Sequence, residues 1–137
     1  MKWNDSFALG IGVIDEQHKK IFEHLLAIEN AVAKRDPWHI LRFQLDQLES
    51  YMRFHLAVEE ALLQILHYPE AASHLSAHER IVAGIEELEE GLKQNPAAGK
   101  LVTFFESWFL RHVLADDRDY AAYIQAEYGE LATARNT

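Results

Sequence analysis

Residues 55–78 read HLAVEEALLQILHYPEAASHLSAH. Two pairs of metal-type ligands lie within this stretch, His55 with Glu59 and His74 with His78, either side of the Tyr68-Pro69 turn signal. Residues four apart share one face of a helix, about one turn from each other. Leu41, Leu45, Leu48 and Met52 lead into the first pair, and Leu62 and Leu66 lead out of it. A single buried seam is therefore expected to pass through positions 55 and 59. The second pair is continued in the same way by Ile81, Ile85, Leu88 and Leu92. A carboxylate at such a core position costs several kcal/mol unless it is paired or bound to a cation. A metal ion is the simplest partner that satisfies all four residues.

Outward from this stretch the rest of the chain has the same character. Pro37, Pro69 and Pro96 break the pattern, and Asp15, Asp36 and Asn95 are the expected capping residues. An extended arm over residues 1–13 should precede four helices near 16–34, 38–66, 70–93 and 98–126. Short connections predict an all-α, up-down-up-down four-helix bundle, and the whole of 1–137 reads as one domain. The first helix carries Ile14, Ile21, Leu25, Ile28 and Val32 on a seam whose missing member is His18. The fourth carries Leu101, Phe105 and Trp108, and its next seam position is His112. One histidine on an apolar stripe is ordinarily a hydrogen-bonded core residue. Four helices that each supply at least one, together with a carboxylate, make a shared metal site the better account. His24, His39 and His67 complete no seam and read as surface or boundary residues.

Bulk properties narrow the function. Thirteen basic and 22 acidic residues leave a net charge of −9 with no basic cluster, which argues against nucleic acid and an anionic membrane surface. No apolar run approaches the roughly 20 residues that span a bilayer. The N-terminus lacks the apolar core of a secretory signal, so a cytoplasmic location is the default. The absence of cysteine excludes disulfides, thiolate-bound zinc and cysteine-ligated iron–sulfur clusters. The acidic surface, with no exposed apolar stripe legible, leads us to expect a monomer; no protein partner can be named.

The fourth helix should also supply a carboxylate, and Asp116 and Asp117 are both candidates. In a regular helix Asp116 lies about 40° around from His112, whereas Asp117 lies about 140° away. Spacing alone therefore favours Asp116. The full pattern is more specific: Gly10-Ile11, Ile14-Asp15-Glu16-Gln17-His18, then His55 with Glu59-Glu60, Tyr68-Pro69, His74 with His78, and Trp108, His112-Val113, Asp117 and Tyr120. This order resembles the hemerythrin family, above all its bacterial single-domain members, over residues 3 to about 124. By that resemblance the carboxylate is Asp117, and Asp116 is a solvated neighbour.

The resemblance implies two iron ions, cycling between Fe2+ and Fe3+, joined by an oxo or hydroxo bridge. His74, His78 and His112 would hold one and His18 and His55 the other, with Glu59 and Asp117 bridging. The first iron then has six ligands and the second five, so O2 has one open position, where the family holds it as a hydroperoxide. Ile21, Leu56, Trp108 and Phe109 would line that pocket. The family usually has Phe after the second-helix histidine and Leu three residues before the fourth-helix one. Leu56 and Phe109 reverse this, which is expected to alter oxygen release or autoxidation. Reversible O2 binding for storage, delivery or sensing is the implied role, without catalysis. The alternatives are a di-iron enzyme acting on peroxide or nitric oxide, and an oxygen or redox sensor module.

Overall fold

The computed structural model describes residues 3–94, 103–104, 107 and 109–128, without the side chains of 88, 92–94 and 113–114. Leu88, Leu92, Leu101, Phe105, Trp108 and the Asn95 cap therefore lie outside what is described. A 3-10 turn, Asp5–Phe7, precedes α1, Gly12–Ala33; α2, Trp38–Ile65; and α3, Ala71–Gln94. Residues 103–104, 107 and 109–111 are helical and run through a π-helical turn, His112–Asp116, into α4, Asp117–Glu127. There is no strand among the described residues.

Several expected boundaries move, for local reasons. Asp15 is not the cap of α1, which begins three residues earlier at Gly12. From inside the first turn its carboxylate reaches back to accept from the backbone N–H of Leu9 at 2.7 Å and Gly10 at 3.1 Å. These bonds differ from a capping box, since Asp15 stands one position past N3 and holds the two residues before the Ile11 cap, tying the arm to the first turn. Gly10 has φ 85°, and a Cβ there would lie 2.9 Å from Gln125 Nε2, so the arm turns onto α4 where only glycine fits without strain. Pro37, not Asp36, is the cap of α2. The arm is not wholly extended either: Asn4 Oδ1 accepts from Ser6 N–H at 2.8 Å and organises the 3-10 turn. Trp3 and Phe7 from this arm pack on Phe22.

Helices α1 and α2 both end in Schellman geometry, with Arg35 at φ 55° and His67 at φ 56°. Asp36 N–H donates to Ala31 O and Tyr68 N–H donates to Leu63 O, each across five residues. These tight links make α1, α2 and α3 antiparallel neighbours, and the result is a four-helix bundle. Exposed His67 is thus placed by its backbone, not by ligand chemistry; His39 is exposed and His24 half-buried. No helix among the described residues is long and apolar enough to cross a membrane.

The core divides in two. One apolar cluster joins Ile14, Leu63, Leu66, Tyr120 and Ile124 at one end; a larger one joins Ile21, Phe22, Leu25, Ile28, Leu45, Leu48, Met52, Leu56, Ile81, Ile85 and Phe109. Between Ile14 and Ile21 on α1 the buried positions are all polar, Asp15, Gln17 and His18; between Met52 and Leu63 on α2 the polar His55 and Glu59 are buried either side of one apolar residue, Leu56.

Candidate metal centre

Seven buried ligand-type side chains meet in this middle layer: His18, His55, Glu59, His74, His78, His112 and Asp117. Their donor atoms form two sets. Glu59, His74, His78, His112 and Asp117 make one, and His18, His55, Glu59 and Asp117 the other; within each set the atoms lie within 4.8 Å of one another.

The two carboxylates belong to both sets, and each divides its oxygens between them. Glu59 Oε1 is 3.1 Å from His74 Nε2 and 3.2 Å from His78 Nε2. Its Oε2 is 2.5 Å from His55 Nε2 and 3.5 Å from His18 Nε2. Asp117 Oδ1 is 3.1 Å from His112 Nε2 and 3.2 Å from His74 Nε2, while Oδ2 is 3.1 Å from His18 Nε2. Despite these separations, His18 Nε2, His55 Nε2, His78 Nε2, Glu59 Oε2 and both Asp117 oxygens lack hydrogen-bond geometry among the described residues. Side chains that close, yet not aimed at one another, converge on points between them. That is the arrangement a cation satisfies, and leaving it unsatisfied is costly. The donor set fits metals that accept imidazole and carboxylate, with three nitrogens on one side and two on the other.

Charge tells the same story without a metal. Burial opposes a proton on His18, but Asp117 and Glu59 outweigh it and raise its pKa to about 9. His74 is raised to about 9 by the same competition. Burial also opposes ionisation of Glu59, yet His55, His18 and His74 hold its carboxyl well below the usual range. Protons here take the place of cationic charge.

The local fold explains the choice between the two aspartates. Asp117 is fully buried, while the Asp116 side chain is 46% exposed. The five-residue π turn from His112 to Asp116 takes in one residue more than an α turn. It brings Asp117 round to the side of His112, where a regular helix would have placed Asp116. Asp116 is nonetheless engaged, with Oδ2 3.5 Å from the outer nitrogen of His112.

Behind the ligands stand Gln17, Glu60 and Tyr120, which the family pattern included but to which sequence reasoning gave no role. Gln17 Oε1 accepts from His55 Nδ1–H at 2.8 Å, both side chains being buried, and so turns Nε2 inward. Glu60 Oε2 stands 3.7 Å from His78 Nδ1. Tyr120 is fully buried; burial, then the charges of Glu59 and Asp117, raise its phenol well above the ordinary value and keep it protonated. The signals available for Gln17 were its place in that pattern and its polarity beside the His18 seam.

Three of the four residues expected to line an oxygen pocket are described. Ile21, Leu56 and Phe109 are buried in one cluster, and Phe109 sets its ring edge-on to His18, with centroids 5.7 Å apart. Phe22, which the periodicity did not single out, packs on Phe109 at 5.0 Å.

Comparison with known proteins agrees with this geometry. Residues 9–124 match the model of the hemerythrin HHE cation binding domain. A bacteriohemerythrin from Stenotrophomonas maltophilia (strain R551-3) is 28% identical over 134 residues, 95% of this chain and 85% of that protein. One from Clostridium acetobutylicum is 30% identical over 127 residues, 86% of this chain and 96% of that protein. A solved structure of a hemerythrin mutant superposes with a TM-score of 0.80 at 25% identity, covering 98% of each chain. The chain belongs to the hemerythrin family.

Proposed function

We propose that this chain holds two non-haem iron ions and binds O2 reversibly, without turning over a substrate. His74, His78 and His112 would hold one ion, His18 and His55 the other, with Glu59 and Asp117 spanning both beside an oxo or hydroxo bridge. The observation that carries this reading is the division of each carboxylate, one oxygen turned to each group of histidines. When bound, two ferrous ions would supply the two electrons that hold a diatomic gas, and the side with two histidines leaves more room for it.

The chain's own residues make that position selective. On the side with two histidines Phe109 packs on His18 and is buried in one apolar cluster with Ile21 and Leu56, surroundings that would exclude water. Trp108 would complete this wall. The Phe109 ring packs perpendicular to the His18 imidazole. Gln17 fixes the orientation of His55, and protonated Tyr120 adds no further negative charge beside Glu59.

Anaerobic loading with Fe2+ should give about two irons per chain, with charge-transfer colour that develops in air and fades under vacuum. One colourless zinc per chain, or irreversible bleaching with turnover of peroxide or nitric oxide, would overturn the proposal. The Leu56→Phe, Phe109→Leu double variant conserves apolar volume but removes the ring edge from His18. We expect O2 release or autoxidation to change by roughly tenfold in stopped-flow measurements. Unchanged rates would remove these residues from the oxygen pocket.

A further inference from the structure

The outward face of α2 is apolar, which removes one ground for expecting a monomer. Phe43 is 58% exposed, Phe54 53% and Ile65 71%, and Ile40 is also exposed. Phe43, Phe54 and Ile65 recur every eleven residues, three helical turns, and so fall within about 20° of one line along the helix. Gln47, Ser50, Ala57 and Ala61 are exposed beside them, and Tyr51 and Val58 are half-buried at one edge. No Asp, Glu, Lys or Arg interrupts this face over seven turns. All the charged residues on the outside of α2, namely Arg42, Asp46, Glu49, Arg53 and Glu60, fall on the flank towards α3. There Arg53 pairs with Glu49 and, across the helix boundary, with Glu86. The opposite flank is bordered by the Lys20–Glu23 ion pair of α1. An apolar strip between two charged borders has the anatomy of an interface, with its apolar centre and polar rim.

We propose that this face binds a second copy of the same chain, with the two α2 helices antiparallel about a two-fold axis at Phe54. The register is the first reason. Under such an axis, residues whose numbers sum to about 108 lie at the same height. Phe54 of each copy then meets Phe54 of the other, Phe43 lies opposite Ile65, Gln47 opposite Ala61, and Tyr51 opposite Val58. Ser50 and Ala57, both small, share the other edge and let the helices approach. The strip is thus complementary to its own reverse, as an isologous contact requires. Electrostatics is the second reason: each copy carries −9, so like chains repel least where a face has no charge. Area is the third, because these side chains offer on the order of 800 Å2, what each partner of a standard interface buries. Nothing in this contact depends on a metal.

Light scattering and sedimentation of the full chain should show a dimer at about 100 μM, weakened at least about a hundredfold by Phe54→Glu. The side chain is exposed in the single chain, so Phe54→Glu should fold normally, as a melting curve will check. The chain has no cysteine, which permits a second test that does not need that variant. Phe54→Cys should cross-link to itself under mild oxidation. Phe43→Cys alone should not, but should cross-link when mixed with Ile65→Cys. A wild-type chain that remains monomeric at about 1 mM, with or without anionic lipid vesicles bound at this face, would overturn the proposal. So would a dimer indifferent to Phe54→Glu, or one that cross-links equally through Phe43→Cys alone.

Discussion

On its inner side α2 presents His55 and Glu59, both fully buried; one residue away on its outer side it presents Phe54, more than half exposed. Each face carries side chains opposite in polarity to their surroundings, but the consequences differ. A buried carboxylate is in water when the chain unfolds, so its desolvation counts fully against the folded state unless something compensates. An exposed phenylalanine is in water in both states and costs folding almost nothing. The inner inversion therefore demands partners within the chain and, by the convergence of its donors, a cation. The outer inversion acquires meaning only from its length, its lack of charge and its self-complementary register.

Removing the inner carboxylate breaks the comparison most severely. Glu59→Ala should abolish metal loading, measured as metal per chain after dialysis. It should also destabilise the metal-free protein by about 3 kcal/mol in denaturant titration, because His18 and His74 lose one of the two anions that hold their protons. An unchanged metal content would mean that Glu59 does not serve both sets of histidines.

A gentler change behind the same face sharpens the comparison. Gln17→Ala leaves all seven donors in place but frees His55 Nδ1 and the ring orientation it fixes. Metal affinity should fall about 10- to 100-fold, read by competition with a chelator, while stoichiometry at saturating metal stays the same. Equal affinity would show that packing alone orients His55.

How much of this was legible beforehand depends on how regular each helix is. Leu41, Leu45, Leu48, Met52, His55 and Glu59 were readable because α2 is regular and its inner stripe continuous. The same stripe was misplaced at its far end, where Leu63 is fully buried and Leu62 only partly so. Alternating steps of four and three average 3.5 residues, and against the true 3.6 that error grows to about 0.6 of a residue over six turns, enough to move the buried position on by one. The π turn after His112 had no such signal, since its residues do not differ from those of an ordinary helix. That is why spacing pointed to Asp116, and only the family resemblance pointed to Asp117. The outer strip was invisible because its large members stand eleven residues apart and only the folded chain shows them unburied.

The flank of α2 between its two faces supplies the smallest effect. There the carboxylates of Asp46, Glu49 and Glu89 lie within 4.8 Å of one another, as the inner donors do, but at the surface and without histidine. Arg53 engages Glu49, and a proton on Glu89 relieves the remaining repulsion. Burial, followed by the hydrogen bond with Glu49 and the charges of Glu49, Asp46 and Glu86, raises Glu89 to about 7 from an ordinary 4.5. A raised acid binds its proton more tightly folded than unfolded. Its stabilising contribution is therefore complete below pH 4.5 and is lost as pH rises through 7. Because Glu89 is only half-buried, screening should keep the loss to the order of 1 kcal/mol. Glu89→Gln keeps the shape and removes the charge, so its melting temperature should exceed wild type at pH 8 and converge with it near pH 4.5. A constant difference across that range would show that Glu89 takes no proton from the solvent as the chain folds. The three acids would then be an ordinary solvated face, and the contrast between the two sides of α2 would owe nothing to the flank between them.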